Sequence, residues 1–199
     1  ENATAQIKAL VNGTVAGNQI PTDITFETSV NTGGNRSEKM RILSSGGITF
    51  NGDTANANAL NDYEEGTFTP GIAFGGNAVG VSYGSRSGSY VKIGRFVYCQ
   101  GQLDLSSKGS STGDATFTGL PFTVGDYLTG TSQEGSGFIT WWANMASGAI
   151  PSTFWISQGG TSATIYRALE NSQGAIQTQT NSYWNNNSQV RFTLQYMAA

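Results

Sequence analysis

Apolar side chains in this chain recur at every second position, and no segment holds a helical 3.6-residue period over three turns. The last strand-like run is the clearest case. Val190, Phe192, Leu194 and Tyr196 alternate there with Gln189, Arg191, Thr193 and Gln195. Successive side chains of a strand point to opposite faces, so such a run has one face suited to a core and one suited to water. Phe96–Leu105 repeats the pattern, with Val97, Cys99, Leu103 and Leu105 on one face and Phe96, Tyr98, Gln100, Gln102 and Asp104 on the other. Cys99 falls in the apolar set, where a free cysteine acts as a small, inert hydrophobe. The sequence therefore predicts an all-β protein.

Texture changes near residue 62. From Glu1 to Asn61 there is no Trp or Tyr, and Phe26 and Phe50 are the only Phe residues. Short alternating snatches, Ile24–Phe26, Met40–Ile42 and Ile48–Phe50, are bounded by turn residues such as Gly33-Gly34-Asn35 and Gly46-Gly47. So little large apolar bulk cannot cover a core by itself, because small domains are marginal even with a good one. Residues 1–61 are thus expected to be a shaft segment and connector in which three intertwined chains share one narrow β core. Ala5–Val11 is expected to add a short helix or coiled entry, and Ala55–Asp62 to serve as the connector. Residues 62–199 hold all four Trp and all eight Tyr. Strand candidates follow closely at Thr67–Phe74, Val79–Tyr83, Ser89–Ile93, Phe96–Leu105, Ala115–Thr118, Gly137–Ala143, Thr153–Ser157, Ala163–Leu169 and Gln189–Met197. That spacing predicts a jelly-roll-like β-sandwich tip.

Composition narrows the partners. Only 12% of residues are charged, about half the usual share of a soluble domain. The net charge is -3 and the ten basic residues are scattered singly, so the clustered cations that bind nucleic acid are missing. No apolar stretch approaches the ~20 residues of a spanning helix, so membrane insertion is not expected. With no His and a single Cys, the commonest acid–base group and the usual zinc ligand sets are unavailable. No cofactor and no metal is expected. Position 1 is not Met, which implies a longer or processed chain.

Several stretches resemble phage tail-fibre and receptor-binding proteins. Asp62–Pro70 (DYEEGTFTP) and Ser87–Phe122 (SGSYVKIGRFVYCQGQLDLSSKGSSTGDATFTGLPF) are similar to the C-terminal domain of such fibres. Ser37–Asp53 (SEKMRILSSGGITFNGD) is similar to their repeating shaft strands, and Arg191–Ala199 (RFTLQYMAA) to their final strand. The resemblance covers about half the chain and implies a homotrimer in a virion tail fibre. Its other partners would be virion tail proteins and a host surface polysaccharide bound at the tip.

Glycan recognition needs flat aromatic faces together with amides or hydroxyls, and two clusters supply both. One is Trp141-Trp142-Ala143-Asn144; the other is Tyr183-Trp184-Asn185-Asn186-Asn187. The glycan-binding candidates are therefore Trp141, Trp142, Asn144, Tyr183, Trp184, Asn185, Asn186 and Asn187. Adjacent Trp residues on a strand point oppositely, so one of Trp141 and Trp142 is expected in the core and the other at solvent, a subunit interface or a ligand. Tyr127 and Trp155 are weaker candidates. Sugar hydrolysis would need two carboxylates about 5–9.5 Å apart. The possible donors are Asp62, Glu64, Glu65, Asp104, Asp114, Asp126, Glu134 and Glu170. The Asp62-Glu64-Glu65 cluster belongs to the connector motif, where hydrogen bonding at the shaft–tip junction is the simpler role and a cation site the alternative, though the spacing matches no known loop. Gly75-Gly76 and the Gly109–Gly113 run lack a following Gly-Lys-Ser and are expected to be hairpin turns. A non-enzymatic fibre tip is the leading reading. A structural virion component and a polysaccharide-depolymerising tailspike are its rivals.

Overall fold

A computed structural model of the chain describes residues 4–29, 35–130, 133–148, 150–168 and 176–199. The Gly33-Gly34 turn and the carboxyl donor Glu170 lie outside these residues. Among those described, regular structure is all-β apart from two single 3₁₀ turns, at Asn56–Asn58 and Asn181–Tyr183. The chain divides into two compact units, Glu1–Tyr63 and Glu64–Ala199.

The first unit is an antiparallel meander of β1 (Ala5–Val11), β2 (Thr22–Ser29), β3 (Arg36–Ile42) and β4 (Ile48–Phe50), paired in that order. Ala5–Val11 is thus a strand and not a helical entry. Its seven residues pair one by one with β2, and ladder hydrogen bonds replace those a short helix would have lost at its ends. Only β2 and β3 are paired along both sides; β1 and β4 are the outer strands of the sheet.

The faces of this meander are reversed from the usual order. Ile7, Phe26, Met40 and Phe50 stand in register across the strands, and Ala9, Ile24, Ile42 and Ile48 form the next row. Yet Ile7 is 67% and Phe50 54% exposed. Behind them, Asp23, Thr25 and Thr49 are buried. Arg41 bridges Asp23 at 2.7 Å and Glu38 at 2.6 Å, and Lys8 bridges Glu27 at 2.6 Å. Asp23 also accepts hydrogen bonds from Asn12 Nδ2 and the Ser44 amide, both at 2.8 Å. Burial alone would raise the Asp23 carboxyl, but these donors and Arg41 hold it below its ordinary value.

The second unit is one continuous ten-stranded sheet. Its strands are β5 (Tyr63–Phe68), β6 (Gly71–Phe74), β7 (Val81–Ile93), β8 (Phe96–Lys108), β9 (Ala115–Thr118), β10 (Gln133–Ala143), β11 (Pro151–Ser157), β12 (Ser162–Ala168), β13 (Ile176–Thr178) and β14 (Gln189–Met197). The path runs β5-β7-β8-β14-β10-β11-β12-β9-β6, with β13 paired to β12. The sheet curls until its ends approach. The Ile72 amide donates to Tyr83 Oη at 3.0 Å, and Arg86 donates to the Pro70 carbonyl at 3.3 Å. Inside the curl lie Phe74, Val97, Cys99, Phe117, Phe154, Phe192 and their neighbours. Their rings meet edge-on, Phe117 and Phe192 at 4.7 Å between centroids.

Strand extents differ from expectation where side chains bear on them. Val81–Tyr83, the end of the Val79–Tyr83 candidate, and Ser89–Ile93 belong to the single strand β7, which bulges around Tyr83 and so breaks the alternation that a pattern reading needs. Thr67–Phe74 is two strands, interrupted at Thr69-Pro70, where proline lacks the donor that a ladder requires. Gly75 and Gly76 do form a hairpin turn, at φ 57° and 79°, between the mutually bonded Phe74 and Asn77. Gly88 and Gly101 face each other across β7 and β8, and a Cβ on Gly88 would collide with the Phe68 ring. That close approach seats Phe68, and with it β5, against the core.

Candidate functional site

The outer face of the curled sheet is built by strands distant in sequence. Core residues Val97, Cys99 and Leu103 point inward, so Tyr98, Gln100, Gln102 and Asp104 point outward. The same alternation turns Arg191, Thr193 and Gln195 of β14 outward. Register then lines them up. Ser87, Gln102, Arg191 and Trp141 form one row across β7, β8, β14 and β10. Ser89, Gln100, Thr193 and Phe138 form the next.

Between these rows runs an open groove of about 590 Å³, within the range of small-molecule sites. Short side chains make its floor (Thr67, Ser87, Ser89, Thr193) and longer ones its walls (Gln100, Gln102, Arg191). A second hollow of about 380 Å³ shares Thr67, Ser89 and Gln100 with it and extends to Tyr98. No carboxylate lines the larger groove. Its one cation, Arg191, is held by Asp104 through a two-point contact at 2.5 and 3.3 Å, and Ser85 Oγ donates to the same carboxylate at 2.8 Å. The Arg191 guanidinium lies 5.1 Å from the centre of the Trp141 ring, which fixes that indole at the groove's rim.

The sequence-predicted candidates separate into two kinds. Trp141 and Trp142 are 46% and 40% exposed, so neither enters the core as expected. Thr140 is the extra residue of a bulge between Ile139 and Trp141; beyond it Trp141 stands opposite the outward Arg191 and Trp142 opposite Val190, near the end of β10. Trp184 is the opposite case. It is 1% exposed and packs edge-on against Phe74 at 6.1 Å, so its faces are spent on the core and no ligand can stack on them. A loop tryptophan has folded back beneath the sheet because burying so large a side chain outweighs the polarity of its neighbours. Tyr183 carries the Arg167 guanidinium over its ring at 4.3 Å.

The side chains of Asn144, Asn185 and Asn186 serve loop architecture, while Asn187 is exposed and contributes its backbone carbonyl. Asn144 Nδ2 donates to the Asn187 carbonyl, and Asn185 Nδ2 and Ser188 Oγ both donate to the Asn144 carbonyl, at 3.0–3.2 Å. Asn186 Oδ1 accepts the Lys108 amide at 3.1 Å. Asn144 takes a left-handed φ of 57°, which asparagine tolerates better than most residues. Tyr127 donates to the Ala198 carbonyl at 2.8 Å, and Trp155 packs on Tyr166 at 6.2 Å. By contrast, no described residue hydrogen-bonds the side-chain amides of Gln100 or Gln102.

Sequence reasoning passed over Ser87, Ser89, Gln100, Gln102, Arg191 and Thr193 as site residues. Their alternation was visible, but not the adjacency of β8 and β14, which alone brings two ordinary polar faces into one surface.

The carboxylates are dispersed. Glu64 accepts the Tyr90 hydroxyl, Glu134 the Leu128 amide, and Asp104 is bound to Arg191. No group of three or more His, Cys, Asp or Glu side chains arranged to hold a metal occurs among the described residues, and none of their helices is long and apolar enough to cross a membrane.

No family model and no curated protein matches the chain. Among solved structures, the crystal structure of the Dettilon tailspike protein matches with a TM-score of 0.55 and 20% identity. The match covers 68% of this chain and 24% of the tailspike. At that identity the likeness shows a shared fold: an all-β arrangement also found within a phage tailspike.

Proposed function

We propose that the chain is a non-enzymatic bacteriophage virion fibre protein, a homotrimer whose jelly-roll-like, sandwich-shaped tip (residues 62–199) attaches to a glycan on the host surface. The observation that carries this reading is the reversed meander of the first unit. Rows of Ile, Phe and Met face outward while ionic groups are buried behind them, and monomeric proteins rarely leave such a patch uncovered. Three copies meeting on these rows would bury them, as obligate interfaces bury apolar surface. The fold shared with a tailspike supports a place in the virion tail, beside other tail proteins and outside the cell. Three tips on one fibre would multiply a weak sugar affinity by about 10²–10⁴.

Solution mass tests the assembly. Three times 20.9 kDa is the expected value; a well-folded single copy at micromolar concentration would overturn the fibre reading. The tailspike likeness also supports a second reading, a polysaccharide depolymerase. Against it stands the groove, which lacks the acidic pair that glycosidases use. Incubation with host polysaccharide would decide: new reducing or unsaturated ends favour the depolymerase, intact polymer the adhesin.

A further inference from the structure

The outer groove can be taken further, on the premise that the tip binds a glycan at all. We propose that the groove walled by Gln100 and Gln102, with Trp141 at its rim, is the glycan subsite and that its ligand is an uncharged oligosaccharide segment.

Three features point there. First, the polar groups are unspent. The side chains of Asn144, Asn185 and Asn186 are committed to holding loops together, whereas the Gln100 and Gln102 amides have no partner among the described residues. A primary amide offers two donors and an acceptor, which matches adjacent sugar hydroxyls that both give and accept. Second, the aromatic face is pre-positioned. Trp141 is pinned by Arg191, itself pinned by Asp104, so stacking a sugar ring on the indole would order little that is not ordered already. Third, the charge balance is even. Arg191, the one cation that lines the groove, is neutralised by Asp104, no carboxylate lines the groove itself, and Glu65 lines the adjoining hollow. An anionic sugar would find no free cation and would meet a protein of net charge -3. A neutral segment leaves no charge unpaired. The two hollows, joined through Thr67, Ser89 and Gln100, are roomy enough for a run of sugars rather than one.

The test is direct binding of the full chain to a panel of short neutral oligosaccharides (glucans, galactans, mannans and N-acetylhexosamine polymers) and uronic-acid counterparts, at low and high salt. The wild type should bind neutral members, with affinity insensitive to salt. Gln102→Ala and Trp141→Ala should each weaken binding about tenfold or more while the thermal midpoint stays in place. Ser87→Gln, which raises the floor, should do the same without removing any contact, and Trp142→Ala should leave binding unchanged. Neutral binding that survives Gln102→Ala, Trp141→Ala and Ser87→Gln would place the ligand elsewhere and sink the subsite while the adhesin reading stands. Salt-sensitive preference for uronic-acid sugars would sink the ligand class. Failure of the full chain to bind any member, together with failure to bind intact host polysaccharide, would remove the adhesin reading itself.

Discussion

The two units solve the same problem in opposite ways. The curled sheet of the second unit turns its apolar stripe inward, so Phe74, Phe117, Phe154 and Phe192 interlock out of reach of water. The meander of the first unit has alternation of the same kind but four strands, too few to curl over its own face. Its Ile7, Ile24, Ile42 and Phe50 stay exposed, and what it encloses instead is the Asp23–Arg41–Glu38 network. Period-two patterning says which side chains share a face. Whether that face becomes a core or stays open depends on whether the chain has enough sheet to close on itself.

The contrast can be broken most sharply at two phenylalanines. Phe50→Asp puts a charge on the open face of the meander, where an assembled trimer would have to bury it without a partner. Threefold mass is expected to fall to that of one chain in light scattering, with the tip's near-ultraviolet spectrum preserved; a trimer that tolerates the charge would show that these rows are not the interface. Phe192→Ala makes the same kind of deletion inside the tip. It should cost about 3–5 kcal/mol in denaturant unfolding and leave any remaining folded protein fully associated.

Trp184→Ala sharpens the division between core and site. Loss of a buried indole should destabilise the tip by about 3–5 kcal/mol, with no loss of glycan affinity in the fraction that stays folded. A specific binding defect at unchanged stability would return Trp184 to the ligand surface.

Acid should loosen the first unit before the second. Asp23 is raised by burial but lowered further by its donors, and Glu38 is lowered chiefly by its hydrogen bonds to Arg41. Each carboxyl is thus more acidic folded than unfolded. Their stabilising contribution is complete above the ordinary carboxylate range and disappears as pH falls through the lowered folded values. Circular dichroism and solution mass followed across that window should show dissociation or loss of the meander with the tip intact. Glu38→Gln should be less stable than wild type at neutral pH and lose less on acidification; a variant with wild-type stability at neutral pH and the same acid loss would argue against the network.

Cys99 gives the smallest and cleanest signal. Burial among apolar neighbours pushes its thiol up to about 12, so at neutral pH a thiol reagent should label it only as fast as the tip opens. Labelling that keeps pace with a free thiol would mean that the curl is not closed.

Much of the tip was legible from pattern. Ala115–Thr118 and Gln189–Met197 are strands with the expected bounds, and the inward and outward sets of β8 and β14 are as alternation places them. The candidate site was legible in part. Trp141 was visible as an aromatic on a strand, but Trp184 and the asparagines beside it were chosen because they lay close together in sequence. Proximity along the chain does not distinguish a loop that offers its groups to a ligand from one that spends them on its own fold. The bulge at Thr140 is likewise invisible to a rule that assumes unbroken alternation.

By itself, then, the order of residues determined that this chain is built of strands, which face of each strand is apolar, and that the first sixty residues have too little bulk to enclose a core. Those are consequences of side-chain period and volume, which are local. Tertiary structure alone decided that β8 and β14 are neighbours, that Gln102 and Arg191 share a row with Trp141, and that Trp184 lies inside. Strand order depends on the balance of loop closure against burial over the whole sheet, and no local pattern carries that balance.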